Sequence, residues 1–130
     1  MVKSSVKKRI LLVDDNEVQL KVTESMLAEE YLLDSAKSGK EAMAYLLTGN
    51  APNLILLDIV MPDLDGWEVF NRLKAISCLK DVPIAFITSV DNSSDADRAS
   101  IIGAADFIMK PVKKRELLER VKTILEKHEA

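Results

Sequence analysis

The sequence has few of the residues that several common active sites require. Its 130 residues include one cysteine, Cys78, and one histidine, His128, which is among the last three residues. A single cysteine cannot form an internal disulfide, which favours a reducing cytoplasm as the location. A catalytic Cys–His pair is not expected, because His128 lies in the charged C-terminal tail. The four glycines form no stretch of the kind that cradles a pyrophosphate, which argues against a nucleotide-binding module.

Hydropathy and charge argue against further classes of protein: membrane-spanning, secreted and nucleic-acid-binding. No apolar run approaches the ~18 residues of a membrane span, and the first ten residues carry lysines instead of an apolar secretory segment. The 18 basic and 21 acidic residues give a net charge of −3, which indicates no particular partner. Basic clusters at 7–9 and 113–115 are interpreted as solvated edges, so no direct contact with nucleic acid or membrane is expected. The length predicts one domain, residues 1–130.

Apolar patterns of two kinds alternate along the chain. Helical periodicity over residues 18–27 predicts a helix whose inward stripe consists of Val18, Val22, Met26 and Leu27. The last segment predicts a stripe of Leu117, Leu118, Val121, Ile124 and Leu125. Short apolar runs predict five strands: Ile10–Val13, Tyr31–Ala36, Leu54–Leu57, Ile84–Ile87 and Phe107–Met109. The third and fourth runs are continuously apolar, which is typical of strands buried on both faces of a parallel sheet.

Helix boundary signals agree with this alternation. Asn16 and Ser38 each precede a Gln or Glu at capping-box spacing, and Asp65-Gly66 opens the third helix. Gly49 and Gly103 stand where helices are expected to end. Repeated strand–helix units predict parallel strands joined by helical crossovers, and therefore a three-layer α/β/α sandwich.

Polar residues end four of the five predicted strands. Asp14-Asp15 follows the first, Asp58 the third, Thr88-Ser89 the fourth and Lys110-Pro111 the fifth. Because open α/β sheets bind ligands at the carboxyl ends of their strands, these side chains are expected to converge. Three close carboxylates repel one another unless a cation neutralises them, and Mg²⁺ prefers such oxygen ligands. The residues therefore predict a Mg²⁺-assisted phosphoryl site with an aspartate nucleophile.

Each of these residues also has an ordinary structural interpretation. An aspartate after a strand is often a helix cap or turn residue, and Thr88 with Ser89 could cap the following helix. The functional interpretation depends on all of them lying at the strand ends of one sheet.

In these residues the sequence resembles the receiver domains of bacterial response regulators over nearly its whole length. The matching stretches are ILLVDDN, LILLDIVMPDLDG, IAFITS and GAADFIMKPV. The resemblance implies a flavodoxin-like, doubly wound sheet of five parallel strands in the order 2-1-3-4-5 with five helices. It also implies a two-component phosphorelay, in which Asp58 accepts a phosphoryl group from a sensor histidine kinase or a histidine phosphotransfer protein.

The resemblance assigns roles in metal and phosphoryl binding. Asp14, Asp15 and Asp58 would hold Mg²⁺ together with the backbone carbonyl of Val60, with Asp15 the more direct ligand of the acidic pair. The side chains that would bind the phosphoryl group are Thr88 and Lys110. Three residues match the family's loop geometry: Pro62, Gly66 and Pro111, the last in a peptide bond that is cis in the family.

The resemblance also implies a population shift between an inactive and an active form. Phosphorylation of Asp58 would draw Thr88 inward, and Phe107 would turn into the vacated space. This movement would reshape the face formed by the fourth helix, fifth strand and fifth helix. An unidentified downstream protein would bind this face. A purely structural role for Phe107 stays open, as does phosphorylation-dependent homodimerisation through this face.

Two apolar positions lead to a sharper prediction. Val60 and Val90 each lie two residues after a site residue, Asp58 and Thr88 respectively, and both flank the expected route of a hydrolytic water. We therefore expect slow self-dephosphorylation compared with receivers that carry polar residues there.

Two other functions are alternatives to a receiver that signals by phosphorylation. The stretch Asp63-Leu64-Asp65-Gly66 resembles the loop of haloacid-dehalogenase-type phosphatases, but Met61-Pro62 separates it from the preceding strand. A pseudo-receiver that signals without phosphate is the second alternative, against which the complete set of site residues argues. The expected protein is a phosphoacceptor and not a turnover enzyme, and it could act alone or within a longer regulator.

Overall fold

A computed structural model describes residues 7–89 and 93–128, and Val90 lies outside the described residues. Strands and helices alternate through these residues, as the sequence predicts. The elements are β1 (Arg9–Val13), α1 (Glu17–Leu27), β2 (Leu32–Ala36), α2 (Gly39–Leu47), β3 (Leu54–Leu57), α3 (Gly66–Lys74), β4 (Ile84–Thr88), α4 (Ser93–Ile102), β5 (Asp106–Met109) and α5 (Lys114–Lys127). The strand bounds agree with the predictions to within one residue at each end.

The five strands form a parallel sheet in the order β2-β1-β3-β4-β5, which confirms the implied doubly wound arrangement. Val13 of β1 pairs with Leu57 of β3, and Leu57 pairs in turn with Phe86 of β4. The chain runs from β1 to one side for β2 and then returns to the other side for β3. The strand order therefore reverses between β1 and β3.

Helices cover both faces of the sheet. Residues of β3 and β4 are buried throughout, as continuous apolar runs predict. One core cluster joins the sheet to α2, α3 and α4, and a second joins it to α1 and α5. This places the sheet as the middle of three layers. No helix in the described part of the chain combines the length and the apolar character needed to cross a membrane.

The predicted inward stripe of α1 is wrong at two positions. Val18 and Val22 are 70% and 43% exposed, whereas Leu20, Thr23 and Leu27 are buried. Apolar residues occur on two sides of this helix, so their spacing alone does not show which side faces the sheet. The prediction for α5 is confirmed, since four of its five residues are buried and Leu118 packs against the same core.

The helix boundary signals are confirmed by hydrogen bonds. The Asn16 and Ser38 side chains accept from backbone N–H groups of α1 and α2 at 3.0 Å each. Asp65 accepts from the Glu68 N–H of α3 at 2.9 Å. Gly49 and Gly103 follow α2 and α4 with positive φ angles of 94° and 92°, a conformation that glycine adopts without strain.

Candidate functional site

The residues that follow β1 and β3 lie side by side at the carboxyl edge of the sheet. The Asp58 N–H donates to the Val13 carbonyl at 2.9 Å, and the Asp14 N–H donates to the Ala36 carbonyl at 3.1 Å. Hydrogen bonding between the strands thus continues one residue beyond each of them. Both aspartates are fixed at the point where the strand order reverses, the usual ligand-binding position of such sheets.

Asp14, Asp15 and Asp58 form an acidic cluster. Each offers a carboxylate oxygen, and these oxygens lie within 4.8 Å of one another. Asp14 and Asp58 are 4% and 7% exposed, while Asp15 is exposed. The Asn16 N–H donates to Asp14 at 2.9 Å, and the Ile59 N–H donates to Asp58 at 2.7 Å. This all-oxygen donor set could hold a hard divalent cation.

Lys110 brings a positive charge to the same acids from the end of β5. Its Nζ lies 2.7 Å from Asp14 Oδ2 and 3.6 Å from Asp58 Oδ2, and its side chain is 8% exposed. Its backbone N–H donates to the Thr88 carbonyl at 2.8 Å, which continues the pairing of β5 with β4. The ammonium therefore reaches across the ends of β4 and β3 and offsets part of the repulsion among the carboxylates.

Opposing effects act on the pKa of the Asp58 carboxyl. Burial raises the pKa of the Asp58 carboxyl above its ordinary value, and the Asp14 charge adds to this. The Lys110 ammonium, a hydrogen bond from the Thr88 hydroxyl and the Ile59 N–H all favour the carboxylate and act in the opposite direction. Thr88 is fully buried at the end of β4. Asp58 is thus a desolvated acid whose neighbours donate to its charged form.

The loop that follows Asp58 turns back against it. The Gly66 N–H donates to the Ile59 carbonyl at 2.7 Å. A Cβ at Gly66 would lie 2.4 Å from the Asp58 carbonyl oxygen, so the approach requires glycine. Val60 is 63% exposed and Pro62 is also exposed, which places both on the outer side of the turn. The close approach gives Gly66 a physical role in the loop.

Phe107 lies half-buried on β5, between the sheet and α4. Its ring centroid is 6.4 Å from that of Phe86. It borders a cavity of about 270 Å³ lined by small residues of α4, including Ala96, Ala99 and Ser100. This space is compatible with movement of the ring. The Lys110–Pro111 peptide bond is cis, as the resemblance implies.

Comparison with known proteins identifies the family. A family model of the response regulator receiver domain matches residues 10–122, a range that includes Asp14, Asp58, Thr88 and Lys110. The chain belongs to this family. Receiver domains are signalling phosphoacceptors of two-component systems, so the recognition made from sequence motifs is confirmed.

The receiver resembles parts of larger proteins and a solved structure of similar length. It is 37% identical over 117 residues to a probable cyclic di-GMP phosphodiesterase of Vibrio cholerae serotype O1, covering 90% of this chain and 26% of that protein. It is 36% identical over 117 residues to the response regulator PleD of Caulobacter vibrioides, covering 89% and 26% respectively. The chain thus spans about a quarter of the length of these relatives.

A solved structure confirms the receiver fold. The receiver domain protein (CheY-like) from Methanospirillum hungatei JF-1 matches with a TM-score of 0.84 and 31% identity, over 95% of this chain and 97% of that chain.

One contact of the loop between β3 and α3, residues 58–65, could not be predicted from the sequence. We call this segment the site loop. The Asp63 carboxylate accepts from the Gly39 N–H at 3.2 Å and from the Lys40 N–H at 2.8 Å, at the start of α2. In the sequence, Asp63 is distinguished only as the first residue of the phosphatase-like stretch Asp63-Leu64-Asp65-Gly66. Its partners lie 24 and 23 residues away, so no local pattern could have paired them.

Proposed function

We propose that this receiver accepts a phosphoryl group on Asp58 from a phosphohistidine of a sensor histidine kinase or a histidine phosphotransfer protein. The observation that carries the proposal is the buried Asp58 carboxylate, 3.6 Å from Lys110 Nζ and clustered with two further acids. A desolvated carboxylate beside a cation is suited to form an acyl phosphate. Residues 1–130 would act as one receiver domain, which the family match over residues 10–122 supports.

The proposal includes Mg²⁺ as the cofactor. Asp14, Asp15 and Asp58 would hold it together with the backbone carbonyl of Val60. The cluster carries three carboxylates against the single ammonium of Lys110, and this excess negative charge favours a divalent cation with oxygen ligands. When bound, Mg²⁺ would neutralise charge on the oxygens of the transferred phosphoryl group.

The side chains of the site have distinct parts in the transfer. A carboxylate oxygen of Asp58 forms a bond to phosphorus as the P–N bond of the donor breaks, and the electron pair of that bond returns to the imidazole nitrogen. The Ile59 N–H orients the carboxylate, at 2.7 Å from Oδ1. Lys110 and Thr88, both buried beside Asp58, would donate to phosphoryl oxygens and stabilise their charge.

The same contacts support a switch. Thr88 now donates to the Asp58 carboxylate, and a phosphoryl group of about −2 charge would offer it stronger acceptors. Movement of Thr88 would leave space beside Phe107, which already borders a cavity next to α4. The active form would then differ at the face formed by α4, β5 and α5, where a protein target would bind.

The exposed side of α1 supports docking of the phosphodonor. Val18 and Val22 are exposed there, and a cavity of about 150 Å³ is lined by Val22, Lys110 and Pro111. A donor that brings its phosphohistidine to Asp58 has to cover this neighbourhood. Burial of the two valines would contribute to its affinity.

The cellular location of the protein is also part of the proposal. Cys78 is a free, exposed thiol, which fits a reducing cytoplasm.

The output would be contact with a downstream protein, with phosphorylation-dependent homodimerisation through the α4, β5 and α5 face as one form of it. Direct contact with nucleic acid or membrane is not proposed. Turnover of phosphate esters is not favoured, because Asp63 of the phosphatase-like stretch is bound to the start of α2.

Intact-mass measurement after incubation with acetyl phosphate tests the proposed function. We expect wild-type protein to gain one phosphoryl group only when Mg²⁺ is present, and Asp58→Ala to gain none. Asp95→Ala removes a carboxylate from α4, outside the acidic cluster, and serves as a control that should be modified like wild type. No gain under any condition would favour the pseudo-receiver alternative, and modification of Asp58→Ala would place the phosphoryl group elsewhere.

A further inference from the structure

The first turn of α2 is completed by a residue from another part of the chain. A helix begins with backbone N–H groups that have no partner within the helix. Ser38 provides acceptors for Glu41 and Ala42, through its hydroxyl and its carbonyl, at 3.0 Å each. The two N–H groups before these, of Gly39 and Lys40, donate to the carboxylate of Asp63. The loop after Asp58 thus supplies half of the cap of α2.

This loop is held at its two ends by other contacts. At its start, the Asp58 N–H donates to β1, and at its end Asp65 caps α3 while the Gly66 N–H donates to Ile59. The outer part between these ends holds Val60, which is 63% exposed. Met61 is buried in this part, at 6% exposure, and Leu64 is partly buried against the same core.

Asp63 adds hydrogen bonds to this packing, and the backbone beside it lies close to α2. A Cβ at Gly39 would lie 2.7 Å from Leu64 Cβ and 3.0 Å from the Leu64 carbonyl oxygen. The start of α2 therefore touches the loop directly beside Asp63. Hydrogen bonding by the Lys40 N–H lowers the pKa of the Asp63 carboxyl, so the contact with the start of α2 favours the charged form.

We propose that Asp63 is a positioning residue that fixes the Val60 carbonyl for metal binding by tying the site loop to α2. This inference rests on the proposed function, in which Val60 contributes a ligand to Mg²⁺. Val60 lies three residues before Asp63, and the backbone between them passes through the rigid Pro62. Loss of the Asp63 contact removes these two hydrogen bonds between the loop and α2 and leaves the packing of Leu64 beside Gly39, so the Val60 carbonyl is less well ordered before the ion binds.

Calorimetric titration with MgCl₂ of the full chain tests the inference. Asp63→Ala is expected to weaken Mg²⁺ binding by about tenfold, the low end of the range for residues that orient metal ligands. Asp63→Asn keeps an acceptor oxygen for the Lys40 N–H but loses the acceptor of the Gly39 N–H, so it is expected to recover part of the affinity. Asp63→Ser is a milder disruption with an intermediate expected affinity, and it replaces Asp63→Ala if that variant does not fold.

Ser38→Ala is the matched control, because it removes a cap from the same helix without touching the loop. We expect it to bind Mg²⁺ like wild type. Hydrogen exchange should be faster at the Gly39 and Lys40 amides in Asp63→Ala, and at the Glu41 amide in Ser38→Ala. Both variants then carry a loosened α2, and only one of them a loosened loop.

Three results would overturn the inference. Equal loss of Mg²⁺ affinity in Ser38→Ala and Asp63→Ala would make Asp63 only a helix cap. Equal loss in Asp63→Asn and Asp63→Ala would show that the contact with the Lys40 N–H, which Asp63→Asn retains, does not position the loop. Unchanged affinity in Asp63→Ala, with wild type binding normally, would contradict the positioning role alone. Failure of wild type to bind Mg²⁺ would instead contradict the proposed function, and this inference with it.

Discussion

Val60 combines an exposed side chain with a position two residues after Asp58. An isopropyl group there cannot hold a water molecule for attack on an aspartyl phosphate. Val60→Asn would supply an amide that can orient such a water by one hydrogen bond, and we expect it to shorten the phosphorylated lifetime by about tenfold. The measurement is the decay of the phosphorylated mass after the phosphodonor is removed.

Val60→Leu is the matched control for this prediction, since it keeps an apolar side chain of similar exposure and should leave the lifetime unchanged. A short wild-type lifetime that Val60→Asn does not alter would contradict the role of position 60. Val90, the other residue of the prediction, lies outside the described residues.

At the scale of the elements, Lys74 joins the end of α3 to the segment that leads into β4. Its Nζ donates to the carbonyls of Lys80 and Val82 at 3.0 and 2.9 Å and lies 5.7 Å from the centre of the Phe70 ring. Burial lowers the pKa of the Lys74 ammonium, and the Asp81 charge opposes this. Lys74→Met keeps much of the packing and removes both charge-assisted hydrogen bonds. We expect a loss of about 1–2 kcal/mol in the free energy of unfolding, measured in urea.

Lys122→Met is the control for that loss, because Lys122 is an exposed lysine on α5. It should change the unfolding free energy little. Equal effects of the two substitutions would show that the contacts of Lys74 with the 80–82 carbonyls do not stabilise the α3–β4 connection.

The elements also show which features of the fold could be predicted from the sequence and which could not. The runs at Leu54–Leu57 and Ile84–Thr88 could be predicted because strands buried on both faces must be apolar at every position. The inward face of α1 could not, since valines and leucines occupy both sides and only packing on β1 and α5 decides between them. Asp58 and Lys110 could be placed at one edge because parallel strands end together, while the pairing of Asp63 with α2 depends on how two loops fold against each other.

At the scale of the whole molecule, stability in alkali depends on a contact among three elements. The Tyr45 hydroxyl of α2 donates to Asp34 of β2 at 2.5 Å, and Arg9 of β1 binds the same carboxylate at 2.7 Å. Burial, aided by the Asp34 charge, raises the pKa of Tyr45 to about 12. The neutral phenol is therefore favoured by folding. Its contribution to stability is complete below the unfolded pKa of about 10 and is lost as the pH rises through about 12.

Unfolding of wild type and Tyr45→Phe across this pH range checks the prediction. Wild type should be more stable by about 1 kcal/mol near neutral pH, and the difference should shrink between pH of about 10 and 12. Ultraviolet titration should show a late tyrosinate step that Tyr45→Phe lacks. Stability curves that stay parallel throughout this range would contradict the role assigned to the phenol.

The ion pair between Lys110 and Asp14 joins residues 96 positions apart. In a chain emerging from the ribosome, the aspartates of β1 and β3 are made long before their counter-charge. Contacts of such high sequence separation form late, because loop closure must precede them. A nascent chain that stops short of β5 has Asp58, the proposed phosphoacceptor, but lacks the lysine that compensates the acids. In the proposed function, the complete phosphorylation site therefore exists only after β5 has been synthesised, and a chain that ends before β5 would not be phosphorylated efficiently.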